Sequence, residues 1–413
     1  MMTEFKPKLP LPFRLINKVG NSLCRWNPSF AELTEEAVHS SAMGRTGLSD
    51  FGEPYYLEGL QRLLESLVKD AHLHSIGRLI MRRAIEINLV KRLWLAESIK
   101  RRPEVFQQPL RPPIIVTGLP RTGTTFLHRM LAADPANRAV PMWELMRPLP
   151  NRCITSSWKG SSRYRRYVAK SELGLWPMLA KEADRKHYIR ADTPEECMLL
   201  LDATLVSLGF WVLAPVYSYL EWYNKHDRLK PYMEYRQMLQ VLQAVDPSRR
   251  LTLKAPAHTG SLDALLAAVP DALIIQTHRD PVTACNSFNS LLYTAHSAVS
   301  DKLDIGAMAS ANLSFLANEI RRNLAARGTR SGAILDVYYR RLTAEPIGTV
   351  RDIYKHFGLS WSEIHEANLT HYVSRNPKGT HGDHDYDSAT FGLTDAEIAR
   401  QFGEYYERFG MAR

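Results

Sequence analysis

Apolar residues recur along the chain with two spacings, one typical of helices and the other of buried strands. Between Leu57 and Val68 they repeat every three to four residues, and the mixed apolar and basic stretch 76–99 continues this helical pattern. We therefore expect a helical N-terminal extension over residues 1–110. The aromatic stretch 150–250 is helical in character as well, which predicts a second helical segment in mid-chain.

Short apolar runs predict four strands, each followed by a helical pattern. The runs are IIVTG, RLTLK, ALIIQTHR and AILDVYY, beginning near residues 114, 250, 272 and 333. Strands that alternate with helices favour a parallel sheet covered on both faces, with its ligand beyond the carboxyl ends of the strands. We find no internal repeat and no long linker, so we expect residues 1–413 to form a single α/β domain of the P-loop type.

Composition and charge fit a globular protein that binds an anion. The 413 residues are 45% hydrophobic and 23% charged, with a formal net charge of +10 and a pI of about 9.3. The basic residues are spread along the chain, and no zinc-finger or RNA-binding signature accompanies them, so we expect no nucleic-acid partner. The oligomeric state stays open.

The cysteines, the N-terminus and one long apolar run bear on where the protein resides. Cys24, Cys153, Cys197 and Cys285 are far apart, which predicts neither a disulfide framework nor a zinc site and fits a reducing cytoplasm. The N-terminus lacks the apolar core of a signal peptide. The uncharged run 203–220 contains glycine and proline, so we expect a buried helix or a pocket wall rather than a membrane span. Peripheral membrane contact stays open.

The first strand leads into a glycine-rich loop, LPRTGTTFL, which departs from the usual nucleotide-binding pattern. Gly118 and Gly123 keep the Walker spacing, but Thr124 stands where the lysine is expected, and Arg121 is the only cation of the loop. The third predicted strand also lacks the aspartate that would hold magnesium. A transferred group with less charge than a phosphoryl group, such as a sulfuryl group, needs less screening by a metal. We expect no metal, and a P-loop kinase or NTPase stays the alternative.

This loop resembles the 5′-phosphosulfate loop of sulfotransferases that use 3′-phosphoadenosine 5′-phosphosulfate (PAPS), including the P-R-S-G-T-T form of tyrosylprotein sulfotransferases. The resemblance implies that the loop and the first turn of the following helix hold the 5′-phosphate and the sulfate of the donor. The residues concerned are Arg121, Thr122, Gly123, Thr124 and Thr125.

Two further stretches resemble the parts of this family that bind the rest of the donor. THRDPVTACNS places Arg279 at the end of a strand and Ser287 eight residues later, as in the 3′-phosphate signature, and a guanidinium with a hydroxyl suits a phosphate monoester. RNPKGTHGD resembles the glycine loop near the C-terminus and implies that Lys378 and Gly379 contact the same phosphate. Tyr339 resembles the tyrosine that packs against adenine.

The C-terminal acidic residues have a competing interpretation as a calcium loop. Aspartates alternate over residues 383–387, but Ser388 and Thr394 stand where the loop requires glycine and glutamate. Thr394 and Glu397 instead predict a capping box at the start of the last helical region.

Sulfuryl transfer requires a base for the acceptor hydroxyl and cations for the transferring group. Glu144 resembles the catalytic glutamate of tyrosylprotein sulfotransferases, and Lys254 resembles the lysine that contacts the sulfuryl group, together with Arg121. His258 is the rival base. We predict a PAPS-dependent sulfotransferase that acts on a hydrophobic alcohol such as a lipid, bound by the segment 150–250. A non-catalytic protein that binds anions or membranes is a third hypothesis.

Overall fold

The computed structural model describes residues 31–149, 162–173, 190–329, 334–376 and 387–411, together with Asn17, Gly20 and Ser22. Within these residues, parallel strands form one five-stranded sheet in the order β2–β3–β1–β4–β5. The strands are β1 (Ile114–Gly118), β2 (Asn137–Ala139), β3 (Arg250–Lys254), β4 (Leu273–His278) and β5 (Ile334–Tyr338). The four predicted strands are all present. Strand β2 was not predicted, because its three residues carry no apolar run.

Helices surround this sheet and precede it. The N-terminal helices are α1 (Glu35–Thr46), α2 (Tyr56–Lys69), α3 (Ser75–Arg101) and α4 (Pro103–Gln107). Between β1 and β3 lie α5 (Thr124–Leu131), α6 (Met142–Met146), α7 (Ser162–Leu173), α8 (Met198–Leu201), α9 (Gly209–Leu213), α10 (Tyr217–Lys225) and α11 (Leu229–Val245).

The remaining helices follow β3, β4 and β5. They are α12 (Leu262–Ala268), α13 (Pro281–Ser297), α14 (Ile305–Thr329), α15 (Tyr339–Ala344), α16 (Pro346–His356), α17 (Glu363–Arg375), α18 (Asp395–Gln401) and α19 (Gly403–Phe409). Thr394 and Glu397 form the predicted capping box at the start of α18.

Alternate residues of β1 pack into different cores because side chains alternate across a strand. Ile115 joins the larger core, which the sheet shares with the N-terminal and mid-chain helices. Ile114 and Val116 join a smaller core with α5, α16 and α17. All five residues of β1 are buried, as expected for the central strand of a parallel sheet. Because the strands are parallel, their carboxyl ends lie at the same edge of the sheet, and the glycine loop follows β1 at this edge.

The aromatic mid-chain segment contributes mainly to the core. Trp211, Tyr219 and Tyr235 are fully buried, and the apolar run 203–220 is divided into the short helices α9 and α10. Among the described residues, no helix combines the length and the apolar composition that a membrane span requires.

Candidate active site

The loop between β1 and α5 depends on left-handed backbone conformations. Gly118 has φ +136° and Gly123 has φ +91°. A Cβ on Gly118 would lie 2.4 Å from the carbonyl oxygen of Thr277, and one on Gly123 would lie 2.9 Å from Cδ2 of Tyr339. Glycine is therefore required at both positions. Gly123 is the N-cap of α5 and has no side chain to accept from the first-turn amides, which suits an anion.

Four of the residues that the sequence assigns to the donor site come together at this loop. Arg279 donates from Nη1 to the carbonyl oxygen of Arg121 (3.1 Å), and its guanidinium carbon lies 4.4 Å from the ring centroid of Tyr339. Arg121 donates from Nε to Oγ of Ser287 (3.1 Å). Since Tyr339 also packs against Gly123, the strand ends of β1, β4 and β5 form one polar cluster.

The threonines of the loop differ in what their side chains do. The hydroxyl of Thr122 is buried, donates to the carbonyl oxygen of Leu119 (2.7 Å) and lies 2.6 Å from Oγ1 of Thr277. That side chain stabilises the loop from inside, so its backbone is the part available to a ligand. Thr124 is buried and Thr125 is half-buried at the start of α5.

Lys254 lies at the carboxyl end of β3, next to the loop. Val116 of β1 is its partner in the sheet register. Its Nζ is buried, 2.8 Å from Oε1 of Glu196 and 3.5 Å from Oε1 of Glu195. Burial disfavours the ammonium group, but the two carboxylates outweigh this effect and raise the pKa of Lys254. Lys254 is therefore a charged lysine at the site.

Glu144 lies in α6 and is held in a buried ion pair. Both of its carboxylate oxygens accept from Nη2 of Arg138 at 2.7 Å, and Arg138 also donates from Nη1 to the carbonyl oxygen of Leu242 (2.6 Å). Its side chain is almost fully buried. To accept a proton from a substrate, this carboxylate would first have to separate from Arg138.

His258 lies in the 3₁₀ turn Pro256–Ser261, inside the core. The hydroxyl of Tyr232 is 2.7 Å from its Nδ1, and Sγ of Cys197 is 3.2 Å from its Nε2. Burial lowers the pKa of His258 to about 3. Both ring nitrogens have protein partners, so this geometry does not support the prediction that His258 is a base.

The predicted donor-site residues Lys378 and Gly379 lie outside the described residues. The acidic stretch 383–386, which has a competing interpretation as part of a calcium loop, lies outside them as well. In the described parts of the chain, no group of three or more His, Cys, Asp or Glu side chains is placed to hold a metal ion.

A family model decides what kind of protein this site belongs to. The model described as "Sulfotransferase family" matches residues 112–363, which include the glycine loop, Lys254 and Arg279. The chain belongs to the sulfotransferase family. It is an enzyme, and the sulfotransferase function predicted from the sequence is confirmed.

Curated relatives and solved structures agree with this assignment. The omega-hydroxy-beta-dihydromenaquinone-9 sulfotransferase Stf3 of Mycobacterium bovis is 26% identical over 315 residues, which cover 73% of this chain and 76% of the relative. The crystal structure of sulfotransferase STF1 from Mycobacterium tuberculosis is 33% identical, with a TM-score of 0.74, and covers 90% of this chain and 98% of its own. That of STF9 from Mycobacterium avium is 27% identical, with a TM-score of 0.79 and coverages of 92% and 98%. The predicted α/β fold is confirmed.

In this sulfotransferase, the C-terminal helix α19 holds the residues on both sides of Arg279, a role that sequence reasoning missed. His278 Nε2 lies 2.8 Å from Oδ1 of Asp336, and its Nδ1 lies 2.9 Å from the hydroxyl of Tyr405. Tyr406 donates to Oδ1 of Asp280 (2.6 Å). The residues on both sides of Arg279 are thus fixed by α19. A tyrosine pair more than a hundred residues away carries no local signal of this role.

The sulfotransferase also uses Asp280 to position the helix that carries Ser287. The Asp280 carboxylate accepts from the amide of Thr283 (2.9 Å) and caps α13, and Pro281 occupies its first turn. The Arg-Asp-Pro sequence thus ends β4 and starts α13 within three residues. The eight-residue separation of Arg279 and Ser287 places both near Arg121 because Ser287 lies on the second turn of that helix.

Proposed function

We propose that this sulfotransferase takes the sulfuryl group from PAPS and transfers it to the hydroxyl of a lipophilic alcohol. The observation that carries the choice of donor is the meeting of Arg279, Ser287 and Tyr339 at the glycine loop. A donor with phosphates at both ends of its ribose would engage the loop amides with one and a guanidinium with the other.

The proposed roles follow from the position of each group. The loop amides and Arg121 bind the 5′-phosphosulfate, while Arg279 and Ser287 bind the 3′-phosphate. Tyr339 packs against the adenine. Lys378 and Gly379 keep their proposed contact with the 3′-phosphate on the strength of the sequence resemblance.

In the proposed reaction, the acceptor oxygen forms a bond to sulfur as the bond from sulfur to the 5′-phosphate oxygen breaks. The acceptor proton passes to a carboxylate, and the products are a sulfate ester and adenosine 3′,5′-bisphosphate. Lys254 and Arg121 stabilise the charge that develops on the transferring group and on the leaving phosphate. The low dielectric around buried Lys254 strengthens that interaction.

Two carboxylates are candidates for the base. Glu144 keeps this role in the proposal if its ion pair with Arg138 separates when the acceptor binds. Glu196 contacts Lys254 directly and is more exposed than Glu144, with side-chain exposures of 20% and 3%. The variants Glu144→Gln and Glu196→Gln separate the two.

In that experiment, the kcat of the variant that lacks the base should fall by about 100-fold or more, and its dependence on pH should change. Glu144→Gln is also expected to lower the unfolding temperature, since it disrupts a buried ion pair. A loss of stability with an unchanged kcat and pH profile would show that Glu144 has a structural role only.

The name of a relative supports a lipophilic acceptor. The curated relative is named for a menaquinone derivative. Incubation of lipid extracts and of polar sugars with radiolabelled PAPS tests the acceptor class. Label confined to the sugars would reject this part of the proposal.

A thermal-shift comparison tests the donor. Adenosine 3′,5′-bisphosphate should stabilise the protein more than ADP or ATP at the same concentration, and a chelator should leave this preference unchanged. Stabilisation by ATP that requires magnesium would instead favour the kinase alternative. Stabilisation by all three nucleotides to the same extent would contradict a dedicated 3′-phosphate site.

A further inference from the structure

Helix α7 presents an exposed surface of basic and tyrosine side chains, which we call the α7 surface. It consists of Arg163, Tyr164, Arg166, Tyr167 and Lys170. Residues three and four apart lie on the same side of a helix, so these side chains form a continuous strip. Tyr167 is 71% exposed and Tyr164 is 43% exposed, which places both among the most exposed large hydrophobic residues of the described chain.

The opposite side of α7 is firmly attached to the enzyme. Buried Arg165 donates from Nη1 to the carbonyl oxygens of Arg147 (2.9 Å) and Pro148 (2.7 Å), and its guanidinium lies over the ring of Trp143. Ala169 is fully buried in a small core with methionines of α6. Because the helix is fixed by these contacts, the outward direction of the two tyrosines follows from the fold.

The α7 surface carries an excess of positive charge. Arg166 and Lys170 both pair with Asp192, and no other carboxylate of the described residues pairs with the cations of the strip. Among the described residues, the three cations of the strip and Asp192 give a charge of about +2, which attracts an anionic surface. Tyrosine side chains are favoured where water meets the headgroups of a bilayer.

We propose that the α7 surface docks this sulfotransferase onto an anionic lipid bilayer. Arg163, Arg166 and Lys170 contact the lipid phosphates, and Tyr164 and Tyr167 insert their rings at the level of the headgroups. The proposal goes beyond the proposed function, because the transfer of a sulfuryl group does not itself require contact with a membrane. A nucleic acid or an acidic protein would use the cations but would not require two exposed tyrosines.

The position of α7 connects the bilayer to the active site. The helix packs against α6, which carries Glu144. Asp192, the partner of the strip, lies four residues before Glu196, which contacts Lys254. An enzyme docked through α7 would therefore keep the segment that borders its reactive lysine close to the membrane, where a lipophilic alcohol is concentrated.

Sedimentation with lipid vesicles tests the proposal on the full-length protein. We expect the wild type to sediment with phosphatidylcholine vesicles that contain phosphatidylglycerol, and to stay in solution with pure phosphatidylcholine or at high salt. The variants are Arg163→Glu and Tyr167→Ser. The matched controls are Arg321→Glu on α14 and Ile364→Ser on α17, an exposed cation and an exposed apolar residue located elsewhere.

Arg163→Glu should weaken the partition onto anionic vesicles by about 5-fold or more, the effect of losing one basic residue near the surface. Tyr167→Ser should weaken it as well, while both controls should bind like the wild type. The proposal would be overturned if the wild-type protein did not sediment with anionic vesicles. It would also be overturned if the control variants lost as much vesicle binding as the α7 variants. Loss with Arg163→Glu but not with Tyr167→Ser would show simple attraction to polyanions and would also refute it.

The same variants separate this proposal from the proposed function. Their stabilisation by adenosine 3′,5′-bisphosphate should equal that of the wild type, because the α7 surface contributes nothing to the donor site. Normal nucleotide binding with lost vesicle binding supports the docking surface. Absent nucleotide binding in the wild type would contradict the donor assignment and leave the vesicle result to be judged separately.

Discussion

Replacing Arg279 with alanine is the sharpest test of the donor site. The side chain makes two contacts at the loop, a hydrogen bond to the Arg121 carbonyl and a stacking contact with Tyr339. In the proposed complex it also binds the 3′-phosphate of the donor. The substitution removes all three interactions while leaving β4 and its pairing with β1 intact, since the side chain lies beyond the end of the strand.

The expected loss of affinity follows from these contacts. A charge-assisted hydrogen bond contributes about 1.5–3 kcal/mol. The contact of Arg279 with Tyr339 is already made without the donor, so its energy does not add to the loss of affinity. Arg279→Ala should therefore weaken the binding of adenosine 3′,5′-bisphosphate by about 1.5–3 kcal/mol, or roughly 10- to 150-fold. Arg279→Lys should be intermediate, because lysine keeps the charge but not the planar fork.

Isothermal titration calorimetry with the bisphosphate and with ADP measures this loss. The effect on ADP should be much smaller, because ADP has no 3′-phosphate, and this difference distinguishes a lost phosphate contact from a collapsed loop. Arg321→Ala, which removes an exposed arginine from α14, controls for net charge. Equal affinities of Arg279→Ala and Arg321→Ala for the bisphosphate would refute the assignment of the site.

Two further predictions concern the loop and the buried histidines. Gly123→Ala should lower the donor affinity, and it should lower the free energy of unfolding by about 1–3 kcal/mol. The reason is that Gly123 has a positive φ and that a methyl group there would collide with Tyr339. Thermal unfolding measures the loss of stability, and Gly348→Ala in α16, where a methyl group has room, is the control. Burial lowers the pKa of His128 and His296 to about 4 and that of His258 to about 3, so the unfolded chain binds more protons below pH 6.5. Stability should therefore fall on acidification from pH 6.5, by up to about 1.4 kcal/mol per pH unit for each histidine; urea unfolding at pH 7 and pH 5 measures this, and equal free energies would contradict it.

The sequence alone was sufficient for the features that depend on neighbouring residues. The apolar run of β1, the spacing of Gly118 and Gly123 and the helix after Thr124 are local, and together they specify a strand, a tight loop and a helix. The start of α13 and the capping box of α18 are local as well. The convergence of Arg279 on the loop could be anticipated because the carboxyl ends of parallel strands meet at one edge of a sheet.

Only the tertiary structure decided which partner each buried charged group has. Glu144 pairs with Arg138, Lys254 pairs with Glu195 and Glu196, and His258 contacts Tyr232 and Cys197. Such pairs arise from packing between elements far apart in the chain, and a residue's type does not reveal them. The cost of burying a charge or an imidazole without a partner selects these contacts, so the chemical role of each group becomes visible only when the whole core is assembled.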